Sequence, residues 1–101
     1  MRLRSLLFVP GDRPDRMAKA NLAGADALIL DLEDGVAPGA KALARAAIGD
    51  FAAQPRVQPL FVRINPLHSP EADSDIALVW SARPDGVVLP NPAATILVPA
   101  V

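Results

Sequence analysis

The chain contains no cysteine. Disulfides, thiolate nucleophiles and cysteine-ligated metals are thereby excluded, which fits a reducing compartment. It has no tyrosine, one tryptophan and three phenylalanines. No basic stripe interleaved with aromatics is present, so the electrostatic footprint of a nucleic-acid surface is missing. The single histidine, His68, lies between Pro66 and Pro70. One imidazole without a second imidazole or a thiol makes no zinc-like cluster, and His68 reads as a loop residue. Ser5 and Ser69 have no triad context. Neither G-x-G-x-x-G nor a P-loop occurs. No apolar run is long enough to span a bilayer. The start, Met1-Arg2-Leu3-Arg4, is basic, but the apolar run after it is too short for a signal segment and ends at Gly11-Asp12-Arg13. The expectation is a cytoplasmic protein with neither a nucleic-acid nor a membrane partner.

What is present suits one modest α/β domain. The 101 residues are 51% hydrophobic and carry a formal net charge of −1. The eleven prolines are dispersed and form no low-complexity tract. The organising stretch is Leu28-Ile29-Leu30-Asp31-Leu32-Glu33-Asp34-Gly35. It begins as a strand buried on both faces and ends in three carboxylates and a glycine. Strand alternation turns Asp31 and Glu33 one way and Leu32 and Asp34 the other. Solvated loop acids are the plain alternative. Buried acids instead need cationic, amide or metal partners.

Strands are expected at Leu6–Pro10, Ala27–Leu32, Leu60–Ile64 and Val87–Leu89. Helices are expected at Asp15–Leu22, Ala40–Phe51 and Glu71–Ser81. Pro14 suits a first helical turn and Gly24 a terminator. The apolar helix faces read as Met17/Ala18/Leu22, then Leu43/Ala47/Ile48/Phe51, then Ile76/Val79/Trp80. Lys41, Arg45 and Asp50 are left to water. The order βαβαβαβ argues for a parallel sheet with helices outside it. An open doubly wound sheet and a (β/α)₈ barrel both satisfy that order. The first turn lacks the glycine pattern of a nucleotide-binding open sheet. A barrel takes about 250 residues, so four βα units make its N-terminal half.

Polar residues gather where the strands end: Asp12 and Arg13, then Asp31, Glu33 and Asp34, then Arg63 and Asn65, then Asn91. Parallel α/β proteins place their sites on that side. Arg63 stands in the otherwise apolar Phe61-Val62-Arg63-Ile64. A guanidinium cannot shed its charge and must meet an anion. That anion is either Asp34 or Glu33 on the neighbouring strand or a substrate carboxylate held bidentately. Arg13 and Lys19 are either solvated charges or phosphate ligands near a helix start.

Four stretches combine into a resemblance. They are Arg4-Ser5-Leu6-Leu7-Phe8-Val9-Pro10-Gly11-Asp12-Arg13-Pro14, Leu30-Asp31-Leu32-Glu33-Asp34-Gly35-Val36-Ala37-Pro38, Phe61-Val62-Arg63-Ile64-Asn65-Pro66-Leu67 and Asp85-Gly86-Val87-Val88-Leu89-Pro90. In this order they resemble the citrate lyase beta subunit family, grouped with the HpcH/HpaI aldolases. The resemblance implies a (β/α)₈ barrel, usually trimeric or hexameric. It implies Mg²⁺-dependent carbon–carbon cleavage or formation in acyl-CoA thioesters of the citryl-, malyl- or citramalyl-CoA type. By the same resemblance Phe8 and Arg13 contact the CoA ester and Lys19 meets a CoA phosphate. Arg63 binds carboxylate and carbonyl oxygens at the reacting carbon. Asp34 is an active-site acid behind the metal, holding metal-bound water or Arg63.

Residues 1–90 form the barrel-type part and 91–101 a divergent tail. The tail starts Asn91-Pro92 where the family commonly has a lysine after Leu-Pro, and it continues apolar. It looks like a truncation or a shifted reading frame. The family's direct Mg²⁺ ligands, a glutamate and an aspartate, are expected beyond residue 101. The isolated chain is accordingly expected to be inactive. Its first and fourth strands should be open edges. The proline-containing tail should make a poor strand or helix. Two alternatives stand beside the lyase: a CoA-binding half barrel without chemistry, and a fragment of an aldolase acting on pyruvate.

Overall fold

The computed structural model describes residues 5–56, 58–90 and 95–97. In chain order the elements are β1 (Leu6–Pro10), α1 (Pro14–Asn21), β2 (Ala27–Asp31), a 3₁₀ turn (Pro38–Ala40), α2 (Lys41–Ala52), β3 (Leu60–Arg63), α3 (Ala72–Ala82), β4 (Gly86–Leu89) and β5 (Thr95–Leu97). They form one sheet in the order β1-β2-β3-β4-β5. The first four strands are parallel and β5 is antiparallel to β4. Each expected strand and helix is present, with ends displaced by a residue or so.

All five residues of β2 are buried. Alternation divides the sheet into two faces. Val9, Leu28, Leu30, Leu60 and Val62 pack with Met17 of α1, Ile48 and Phe51 of α2 and Leu78 of α3. Ala27, Ile29, Phe61 and Val88 form a second cluster on the opposite face. The register places Phe8, Ile29, Phe61 and Gly86 in one row across that second face. The next row along is Pro10, Asp31, Arg63 and Val88. Each strand of this row therefore delivers one residue to the same C-terminal rim.

Three helix faces differ from the sequence reading. In α1 the buried residues are Met17 and Ala20, and Leu22 is 84% exposed beyond the helix end. In α2 they are Ala44, Ile48 and Phe51, while Leu43 points outward. In α3 they are Ala72, Asp75 and Leu78, and Ile76 and Trp80 face outward. Each buried set follows i, i+3/i+4 spacing. The stripe of α3 went unread because it contains a carboxylate. Asp75 is fully buried because Arg45 and Asn65 neutralise and bond it.

The tail also differs. Thr95, Ile96 and Leu97 pair with Leu89, Val88 and Val87, so β4 is not an open edge there. An unpaired strand edge offers a row of N–H and C=O groups, and three β-prone residues suffice to take it. The rest of the tail, 91–94 and 98–101, lies outside the described residues, as does the expectation for Asn91.

Candidate functional site

The rim where β1, β2 and β3 end holds an ion pair in register. Arg63 donates from Nε to Asp31 Oδ1 at 2.9 Å and from Nη2 to Asp31 Oδ2 at 2.7 Å. Asp31 also accepts the amide of Glu33 on Oδ1 at 2.8 Å and that of Gly35 on Oδ2 at 2.7 Å. Each carboxylate oxygen thus takes two donors, which exhausts its acceptor sites. Burial pushes the Asp31 carboxyl up. The Arg63 hydrogen bonds, the two backbone amides and the Arg63 charge outweigh this and hold it below the usual range. The Asp31 hydrogen bonds raise Arg63 further above its already high value. Asp31 therefore orients Arg63 and has no lone pair left to act as base.

Glu33 lies 3.6 Å from Arg63 Nε through Oε1. Burial, then the Asp34 charge, raise the Glu33 carboxyl. Asp34 is exposed on the turn. Among the described residues the ion pairs of Arg63 are with Asp31 and Glu33. Asp34 acts on Arg63 only as a nearby charge. The partner named from sequence, Asp34 or Glu33, is thus corrected chiefly to Asp31. The cause is register: Asp31 sits directly opposite Arg63 on the adjacent strand.

Phe8 lies beneath the guanidinium, its ring centroid 5.3 Å from Arg63 Cζ, a cation–π distance. With one edge on Asp31 and a face on Phe8, Arg63 keeps Nη1 unpartnered among the described residues. Its side chain is 22% exposed. An oriented guanidinium with a free edge can take a carboxylate, enolate or carbonyl oxygen.

The other residues singled out from sequence fall into separate places. Lys19 and Phe8 line one groove of about 260 Å³ between β1 and α1, together with Arg16. Arg13 is outside that lining and pairs at 3.3 Å with Asp15. His68 is exposed in its loop.

Behind the rim runs a polar network built on Lys41 and Arg45, which are therefore not the solvated residues expected from the sequence. Lys41 donates to the carbonyls of Leu32 at 2.7 Å and Glu33 at 3.0 Å, and to Asn65 Oδ1 at 2.8 Å. Asn65 donates from Nδ2 to Leu32 O and to Asp75 Oδ2. Arg45 bridges Glu71 and Asp75. The available signal was the buried acid at the Ala72–Asp75–Leu78 spacing, which demands a cation from a neighbouring helix.

Residues 4–94 match the model of the HpcH/HpaI aldolase/citrate lyase family. The chain belongs to that family. A citrate lyase subunit beta-like protein of Deinococcus radiodurans is 44% identical over 97 residues, covering 88% of this chain and 33% of that protein. A (3S)-malyl-CoA thioesterase of Cereibacter sphaeroides is 32% identical, covering 87% of this chain and 32% of its own. CitE of Mycobacterium tuberculosis, solved with magnesium, acetoacetate and coenzyme A, superposes with a TM-score of 0.74 at 40% identity. That match covers 87% of this chain and 32% of CitE. The chain spans about a third of the length of the curated relatives it matches.

Magnesium is the metal of the solved CitE complexes. It requires hard oxygen ligands in near-octahedral geometry. Among the described residues no three carboxylate or imidazole groups converge to hold an ion. Asp31 is saturated by Arg63 and two amides. These residues alone do not fit a magnesium site. No helix among the described residues is long and apolar enough to cross a membrane.

Proposed function

We propose that this chain is the N-terminal third of an acyl-CoA carbon–carbon lyase. On this reading its four parallel strands are half of a (β/α)₈ barrel, and the Mg²⁺ ligands come from outside residues 1–101. The observation that carries the reading is Arg63: locked on one edge by Asp31, backed by Phe8, and with Nη1 unpartnered among the described residues. Cleaving the bond between the α- and β-carbons of a 3-hydroxyacyl thioester leaves an enolate and a carbonyl product. A guanidinium fixed beforehand stabilises an oxyanion at little reorganisation cost. Phe8 keeps water from one face of Arg63. Lys19, in the groove that Phe8 also lines, suits a phosphate of CoA. Arg13 and Asp34 stand as outer contributors, the first to CoA and the second through its charge. A cytoplasmic homo-oligomer, trimeric or hexameric, goes with the same reading.

Thioester hydrolysis is a second reading, favoured by the 32% identity to (3S)-malyl-CoA thioesterase. Both reactions need a clamp for the acyl carboxylate or carbonyl. A chimera separates them. Residues 1–90 replace the matching third of the Deinococcus radiodurans relative, and malyl-CoA is supplied with Mg²⁺. Acetyl-CoA and glyoxylate signify cleavage; malate and free CoA signify hydrolysis. Arg63→Lys in the chimera should lower kcat/KM at least a hundredfold with an unchanged melting temperature. Near-normal kcat/KM in that variant would remove Arg63 from the chemistry.

A further inference from the structure

We infer that Lys41 is a positioning residue: it fixes the turn after β2 so that Asp31 presents both oxygens to Arg63. The inference rests on the reading of Arg63 as an anion clamp. The turn must do two things at once. It folds back so that the amides of Glu33 and Gly35 reach Asp31. It also turns the carbonyls of Leu32 and Glu33 toward Lys41; that of Leu32 accepts from Asn65 Nδ2 as well, at 2.9 Å, and that of Glu33 from the Val36 amide at 3.2 Å. Lys41 Nζ donates to both carbonyls and to Asn65 Oδ1, so the three N–H bonds of its ammonium are all used. Lys41 has no proton left for a substrate, and its charge is spent on the backbone of the acid turn.

The anchor is itself anchored. Asn65 follows β3 by two residues and shares the Leu32 carbonyl with Lys41. Its backbone N–H and Nδ2 both donate to Asp75 Oδ2, at 2.8 and 2.7 Å. Asp75 is 0% exposed, and Arg45 of α2 holds its other oxygen at 3.1 Å. The Leu32 amide in turn donates to the Arg63 carbonyl at 2.9 Å. A closed loop of bonds thus runs from α3 through Asn65 and Lys41 to the acid turn, and from that turn to both ends of Arg63. Mutually supporting bonds of this kind favour one geometry of the turn over its alternatives.

The test uses the 101-residue chain at low micromolar concentration, with Lys41→Met as the variant. Amide exchange followed by mass spectrometry reads the turn, and phenylglyoxal modification reads Arg63. Expected are at least tenfold faster exchange at Glu33 and Gly35 and at least threefold faster modification of Arg63. Exchange at Leu28–Leu30 should stay as in wild type, which a general loss of structure would not allow. Lys41→Gln is read by the same criteria if Lys41→Met does not fold. Wild-type rates at the turn and at Arg63 in a folded variant would overturn the positioning role. Acetoacetate is added in a parallel arm and should slow Arg63 modification in wild type but not in the variant. Absence of protection in wild type would overturn the clamp reading, while the ligand-free rates still decide the role of Lys41.

Discussion

Gly35 sits so close to Asp31 that a Cβ on residue 35 would stand 2.8 Å from Asp31 Oδ2. That oxygen already accepts from the Gly35 amide and from Arg63. Gly35→Ala should therefore push the carboxylate off Arg63 and cost about 1–3 kcal/mol, the usual range for overpacking. Denaturant unfolding measures the loss, and faster phenylglyoxal modification of Arg63 locates it. Wild-type behaviour in both would mean that the turn moves aside freely.

Gly11 makes a similar close approach to a different atom. Its amide donates to Asp31 O at 2.8 Å, and a Cβ there would meet that carbonyl at 2.7 Å and Ile48 Cδ1 at 2.8 Å. Backbone cannot yield as a side chain can. Gly11→Ala should cost about 2–3 kcal/mol in stability, at the upper end for overpacking. Arg63 modification should change less than in Gly35→Ala, because the affected atom is the carbonyl and not the carboxylate.

The Asp31 carboxyl is depressed in the folded protein, so its contribution to stability has a defined pH window. It is fully present above the ordinary carboxylate value, about 3.9, and is lost as pH falls through the lower folded value. Asp31→Asn should be less stable than wild type at pH 7 by about 3 kcal/mol, since it leaves Arg63 with only the more distant Glu33 carboxylate at 3.6 Å. The gap should narrow as the pH is taken below 4, where wild type protonates as well. Urea unfolding of both proteins at several pH values checks this. A gap independent of pH would show that the loss is not electrostatic.

In the chimera, Lys19→Ala should raise the KM for the acyl-CoA severalfold and leave kcat within about twofold. Contacts far from the reacting carbon act as uniform binding. Arg13→Ala should do less, because Arg13 is engaged with Asp15 and lies outside the groove that Lys19 and Phe8 line. A substrate analogue lacking the CoA nucleotide should show no difference between Lys19→Ala and the parent.

Ile76 and Trp80 are 48% and 79% exposed, and with Leu67 and Leu89 they line a groove of about 230 Å³. Contiguous apolar surface of this kind promotes association. Ile76→Lys with Trp80→Lys should reduce light scattering by the 101-residue polypeptide at tens of micromolar. Unchanged scattering would move the sticky surface elsewhere, with the exposed Leu6 and Phe8 of β1 the next to substitute.

The elements were legible because apolar runs, prolines and glycines alternate cleanly along this chain. The rim was legible too, since Arg63 is a charge inside an apolar strand. Its partner was not. Choosing Asp31 over Glu33 or Asp34 needs the register of β2 against β3, which lies in neither strand alone. Lys41, Arg45 and Asp75 were hidden for another reason. A helix stripe that includes charged residues looks solvated until the opposite charge on a second helix is placed beside it.

The opposition of Asp31 and Arg63 also bears on how the sheet finds its pairing. A slip of β3 by one residue against β2 would exchange the faces of every side chain in the strand. Arg63 would then leave Asp31 and turn toward the layer of Leu28, Leu30 and Ile48, where the buried Asp75 is already held by Arg45 and Asn65. A guanidinium cannot neutralise itself there, so the mispaired sheet would carry a buried unpaired charge. A pair of leucines at these two positions would accept either alignment. The same two residues therefore disfavour the shifted sheet and favour the native register.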